Sequence, residues 1–239
     1  MEKLIEFLNN KFDNAVGHKI GYGRESLVYL FGDDKVIKIT NVSNIHNLNK
    51  IVNKDYDRIG KIYETGTFEP PKELVKDGKL FTSIETRDKL SGVVKFGELE
   101  ELLKNSVGLL KADSVGYIIM EKLNTDIREK IQHEEQNIYN VLFSLDQVKE
   151  LPEDFHEIYK RLVEREGKVN TLTLLFEFVK KNYLKLIDLL KKSGYYTDFT
   201  KELIEVLISV SKLFPNWSDV FEGQFGINNE GELVAFDLD

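Results

Sequence analysis

Residues 20–40 read IGYGRESLVYLFGDDKVIKIT, and the fold class follows from how this stretch is divided. Ser26–Phe31 (SLVYLF) and Val36–Thr40 (VIKIT) are rich in β-branched and aromatic residues, with Gly32-Asp33-Asp34 between them as turn chemistry. Together they predict a β-hairpin. Just upstream, Gly21 and Gly23 let backbone N–H groups approach a polyphosphate with no Cβ in the way. Taken alone, the pair reads first as a plain hairpin turn. A Rossmann site is disfavoured because a strand follows the glycines where that fold requires a helix. A P-loop is excluded because no GKS or GKT is present. Lys38 sets a cation in the middle of the second apolar strand. By itself it is a surface lysine of an alternating strand; beside the glycines it can reach phosphates held under them.

Working outward, Leu4, Ile5, Leu8 and Phe12 fall on one helical face, so a short amphipathic helix is expected over residues 3–12. Ile45, Leu48, Ile51 and Val52 predict a second helix over 41–56. Gly60–Phe68 resumes a strand pattern that Pro70-Pro71 closes. Asp77-Gly78 predicts a turn before a strand at 79–86. A helix is expected over 98–110, and Val115–Leu123 (VGYIIMEKL) is an apolar run of strand length. From Thr125 onward the period is helical, strongest at 172–192 and 199–214, with Ser193-Gly194 as the turn between them. A final hairpin is expected from Phe225–Asn228 and Glu232–Asp237 around Asn229-Glu230-Gly231. The reading is an α+β chain in two lobes, residues 1–123 and 124–239.

Composition narrows the function classes. The chain has 239 residues, a net charge of −8 and no cysteine. Disulfides, thiol nucleophiles and thiolate metal sites are excluded together. The acidic balance offers no general electrostatic footprint for nucleic acid or anionic membrane, and neither partner is expected. His18, His46, His133 and His156 are scattered, without HExxH spacing. No long apolar window and no signal-peptide pattern occur, so a soluble, cytoplasmic protein is expected.

The C-terminal stretch DVFEGQFGINNEGELVAFDLD carries the remaining chemistry. Asp219 follows a long helix and Pro215, Gln224 lies five residues on, and Asp237 closes the final hairpin. A loop acid, a nearby amide and a strand-end acid suit a catalytic base and two metal ligands. Either acid alone is as well explained as a surface carboxylate.

Taken in order, these residues resemble the protein kinase-like superfamily. IGYGRESLV is similar to its glycine-rich loop, with Gly21, Gly23 and Val28 in place and Ser26 where the third glycine belongs. VIK resembles the strand-lysine motif at Lys38, and YIIMEKL the strand entering the hinge between lobes. Asp219, Gln224 and Asp237 match the catalytic aspartate, its amide partner and the metal-binding aspartate. The resemblance implies a two-lobed kinase-like fold with an ATP and Mg2+ site between the lobes. Gly21, Gly23 and Val28 would cover the nucleotide, Lys38 would pair with its phosphates, and Glu121 and Leu123 would offer backbone groups to adenine. Gln224 and Asp237 would hold the metal, and Asp219 would accept the proton of a hydroxyl acceptor, protein or small molecule. The implied activity is an ATP-dependent phosphotransferase; the alternative is a pseudokinase that keeps the fold as a binding or scaffolding module.

Three departures accompany the match. Gln224 adds a methylene where the family has asparagine. Residues 41–54 contain no acid to pair with Lys38, leaving Glu98, Glu100 and Glu101 as candidates. The sequence ends two residues after Asp237, so an activation segment and the helices beyond it are not expected.

Overall fold

A computed structural model describes residues 3–23, 26–83, 112–113, 115–143, 153–166, 170–217 and 220–238. The architecture is α+β, a β-rich N-terminal sheet followed by a mostly helical region. The chain divides into two compact units: residues 1–55 with 61–122 and 239, and residues 56–60 with 123–238.

In the first unit, α1 (Lys3–Lys11) precedes β1 (Val16–Gly23), β2 (Ser26–Phe31) and β3 (Lys35–Asn41). A four-residue helix α2 (Ser43–His46) and a run of turns lead to β4 (Ile62–Thr67). The small hairpin of β5 (Val75–Lys76) and β6 (Lys79–Leu80) follows, and β7 (Val115–Glu121) comes last. The main sheet is antiparallel in the order β1-β2-β3-β7-β4, so β7 lies inside it and is buried along Val115–Met120. That position explains why its sequence is a continuous apolar run instead of an alternating one.

Strand alternation then divides the sheet faces. Leu27, Tyr29, Ile37, Ile39, Tyr117 and Ile119 face a core that Leu4 and Leu8 of α1 complete. Tyr117 crosses to β4, where its hydroxyl donates to Glu64 at 2.5 Å and its ring covers Gly66. Burial, then the Glu64 hydrogen bond, push the Tyr117 hydroxyl up to about 12.

The helix expected over 41–56 is not formed beyond α2. Ile45, Leu48 and Ile51 are buried at a spacing of three, and the N–H groups of Leu48, Ile51 and Lys54 donate to carbonyls three residues back. This is a chain of tight turns ending at Asn53, whose φ is 57°. The apolar period is 3.0, not 3.6, and Asn44, Asn47, Asn49 and Asn53 favour turns over helix. Asp77-Gly78 makes the expected turn with φ of 51° and 71°. The strand after it is described only as β6; residues 84–86 and the helix expected over 98–110 lie outside the described residues.

The second unit holds α3 (Arg128–Phe143), α4 (Glu153–Glu166), α5 (Thr171–Lys192) and α6 (Asp198–Leu213), then a 3-10 turn at Glu222–Gln224 and the hairpin of β8 (Phe225–Ile227) and β9 (Leu233–Ala235). Helix α5 is its axis. Asn170 caps it, accepting from the Leu172 N–H at 2.8 Å, and Thr171–Phe176 are buried all round. At Asn182 the backbone leaves helical geometry, and beyond it only Leu186 and Leu190 are buried, a spacing of four that marks an amphipathic segment. Gly194, at φ 76°, gives the turn into α6. Among the described residues no helix is long and apolar enough to cross a membrane.

Candidate functional site

Three of the first-unit candidates, Gly21, Val28 and Lys38, share one line across the sheet. Gly21 pairs with Val28, Val28 with Lys38, and Lys38 with Ile118. Directly paired residues project to the same face, so this row lies on the face opposite the α1 core. Residues 17 positions apart in sequence, Gly21 and Lys38, are thus two strands apart in one row. Lys38 is 7% exposed, an unusual place for an ammonium. Gly23 pairs with Ser26 at the end of the same hairpin, and the tip between them, residues 24–25, lies outside the described residues.

The row's glycine is not required by the sheet. A Cβ at Gly21 would meet Val28 at 3.7 Å, ordinary van der Waals contact. Gly66 is different: a Cβ there would lie 2.6 Å from the Tyr117 hydroxyl oxygen and 2.7 Å from its ring. Gly116 likewise abuts Ile45, which covers the Lys38 face at its Thr40 end. Gly66 and Gly116 answer to packing; Gly21 answers to nothing within the sheet.

Glu121 ends β7 three register positions from Lys38, about 10 Å along the strand. Its N–H donates to the Lys61 carbonyl at 2.9 Å, and its carboxylate accepts the Lys61 N–H at 3.4 Å. The Lys61 ammonium pairs with Asp55 at 2.6 Å, which raises its pKa, and Lys35 stands 4.6 Å over the Tyr63 ring. Burial first, then Glu121, push the Tyr63 hydroxyl up. Leu123 belongs to the second unit, where a Cβ on Gly226 would lie 2.7 Å from its own.

Asp219 lies outside the described residues, but both sides of it are anchored in the second unit. Trp217 packs edge-on to Phe176 at 5.4 Å and against Phe225 at 6.1 Å. The buried Val220 N–H donates to the Thr173 hydroxyl at 3.0 Å, which ties the segment to the first turn of α5. Gln224 is buried, and its side chain bridges two backbone groups: its oxygen accepts the Phe221 N–H at 3.0 Å and its amide donates to the Asp237 carbonyl at 3.4 Å. The Gln224 carbonyl also accepts the Phe236 N–H at 2.9 Å.

Strand β9 stops at Ala235, so Asp237 is not the strand-end residue expected but lies two positions beyond, at φ 60°. Non-glycine residues seldom hold this backbone, and such positions cluster at functional sites. The donor set fits Mg2+ through Asp237, because that ion is commonly taken by one or two carboxylates and completed by phosphates. Gln224 keeps one oxygen lone pair beyond its bond to Phe221 and acts first as the brace that holds residues 236–237. Among the described residues no three His, Asp or Glu side chains gather at a metal-binding spacing.

Thr173 and Trp217 were not legible as site residues. Both sit in apolar helical or loop context, and only the chain's return from α6 brings Val220 onto α5. Compared with models of known protein families, the chain matches none, and no curated protein matches it.

Proposed function

We propose that the chain is an ATP- and Mg2+-dependent phosphotransferase of kinase-like architecture, acting on a hydroxyl acceptor. The observation that carries this reading is the cross-strand row Gly21–Val28–Lys38, which lines up a glycine that the sheet packing does not require, an apolar platform and a buried cation on one face. A phosphate chain approaching that face would meet backbone N–H groups at Gly21 and Gly23 with no Cβ in the way, and a cation at Lys38. Adenine is assigned to the end of β7, where the Glu121 carbonyl accepts a hydrogen bond, since its N–H is engaged by Lys61. Leu123 offers the next backbone groups.

Asp219 and Asp237 are assigned the chemistry. Asp219 accepts the acceptor's hydroxyl proton and orients its oxygen for in-line attack on the γ-phosphorus. Asp237, held at φ 60° by its neighbours and by the Gln224 brace, presents a carboxylate for the metal. Mg2+, when bound, neutralises charge on the phosphate oxygens. The protein's share of catalysis is positioning and electrostatic stabilisation. The reading of a nucleotide-binding module without turnover is favoured by one observation, the engagement of both ends of the Gln224 amide in backbone bonds.

Turnover of γ-labelled ATP, to water when no acceptor is supplied, separates the two. Wild-type protein is expected to release label above background, and Asp219→Ala to lose at least a hundredfold of that rate, the range of a general base. Release unchanged by Asp219→Ala would overturn the role given to Asp219. ATP binding with no release would favour the module.

A further inference from the structure

Gln224 is 6% exposed, and backbone and side chain alike are tied down. Its N–H donates to the Phe221 carbonyl at 3.1 Å, and its carbonyl accepts the Phe236 N–H at 2.9 Å. Its side-chain oxygen accepts the Phe221 N–H at 3.0 Å, and its side-chain nitrogen donates to the Asp237 carbonyl at 3.4 Å. These two partners fix which end of the amide is which, because an N–H calls for the oxygen and a carbonyl for the nitrogen. The end turned toward residue 237 is therefore the positively polarised one. We infer that Gln224 is a positioning residue and not a metal ligand, so that the proposed site takes a single divalent cation per nucleotide, through Asp237.

The inference rests on the phosphotransferase reading and narrows it. The resemblance to the kinase-like superfamily implies two metal ligands, Gln224 and Asp237, but the amide hydrogens at the Asp237 carbonyl repel a cation brought there. The remaining lone pair of the amide oxygen belongs to the Phe221 end of the group, on a residue with almost no exposed surface. Turning the amide over would set oxygen against oxygen at residue 237 and leave the Phe221 N–H facing an NH2 group. Reach accounts for glutamine at this position: asparagine is shorter by one carbon–carbon bond, about 1.5 Å, and the 3.4 Å contact to Asp237 leaves no slack for it. Mg2+ needs no second protein ligand, since one carboxylate, phosphate oxygens and water complete its six positions. Among the described residues no three His, Asp or Glu side chains gather to hold another ion. Gln224 thus acts through Asp237, by fixing the backbone that carries its carboxylate at φ 60°.

Electron paramagnetic resonance of Mn2+ counts the ions. Mn2+ is titrated into the full chain carrying one equivalent of AMP-PNP, a non-hydrolysable ATP analogue whose binding is measured separately by calorimetry. One Mn2+ per bound nucleotide is expected in the wild type and in Gln224→Met, which keeps the volume and deletes both side-chain bonds. In Gln224→Met that ion is held at least threefold more weakly, since Asp237 loses its brace. In EDTA, with no nucleotide present, the thermal midpoint of Gln224→Met is expected to fall by at least about 3 °C. Two Mn2+ per nucleotide in the wild type would overturn the proposal, as would loss of an ion in Gln224→Met. An unchanged midpoint, or an ion held equally tightly in the variant, would overturn it too. Absence of AMP-PNP binding would instead refute the phosphotransferase reading, while the midpoint still judges the brace. Should Gln224→Met fail to fold, the wild-type count decides alone.

Discussion

Gly21 and Gly66 are both glycines on strands of one sheet, and they are there for different reasons. Gly66 makes room for the Tyr117 ring, whereas a Cβ at Gly21 meets only Val28 at 3.7 Å. Gly21→Ala is therefore expected to change stability by less than about 1 kcal/mol, while Gly66→Ala costs about 1–3 kcal/mol by overpacking. If Gly21 serves a phosphate, Gly21→Ala lowers ATP affinity at least fivefold with its unfolding midpoint retained. Equal affinity in the alanine variant would remove the glycine from the site. Urea unfolding and ATP titration of the same samples read both quantities. The sequence showed that Gly21 and Lys38 belong together only through a motif; the register that puts them in one row appears when the strands pair. In residues 41–56 the apolar spacing of three also occurs on a helix face, so only the asparagines distinguish the turns from a helix.

At the scale of elements, α5 does more than fill a core. Its first six residues are all buried, and Thr173, in the first turn, holds the N–H of Val220, the residue after Asp219. The long helices were legible because they carry 3.6-residue periods over four turns or more, and the hairpins because Gly32-Asp33-Asp34 and Asn229-Glu230-Gly231 are turn chemistry. The Thr173–Val220 bond was not legible, since it joins residues 47 apart with no local signature. Thr173→Val keeps the shape and deletes the hydroxyl, leaving a buried N–H unpaired. The expected cost is about 1–3 kcal/mol, read by thermal or urea unfolding. ATP turnover is expected to fall more than ATP affinity, because the hydroxyl supports the segment proposed to be catalytic and none of the residues proposed to hold the nucleotide. An equal fall in both would contradict that assignment.

Across the whole molecule, the chain leaves the first unit for residues 56–60, which group with the second, and then returns. Gly60 donates its N–H to the Ala235 carbonyl at 2.8 Å, Ala235 donates to the Arg58 carbonyl at 3.0 Å, and the Arg58 guanidinium meets Glu205 at 2.8 Å. This short strap lies beside β9, just ahead of Asp237, and its backbone at Arg58 has φ 63°. Sequence pattern missed it, because five residues between a turn region and a strand carry no period of their own. The ion pair is half-shielded, so Arg58→Ala is expected to cost about 1 kcal/mol. That corresponds to a fall of roughly 2–4 °C in the thermal midpoint for a chain of this size. No change would mean that backbone bonds alone hold the strap.

The role proposed for Lys38, phosphate partner of a bound nucleotide, is the most direct point of test. Calorimetric titration of ATP with Mg2+ into wild-type protein and into Lys38→Met measures it, since methionine keeps the buried volume and removes the charge. One saturable site is predicted for the wild type, with affinity at least tenfold weaker in Lys38→Met. No saturable binding to the wild type, or equal affinity in the two proteins, would contradict it.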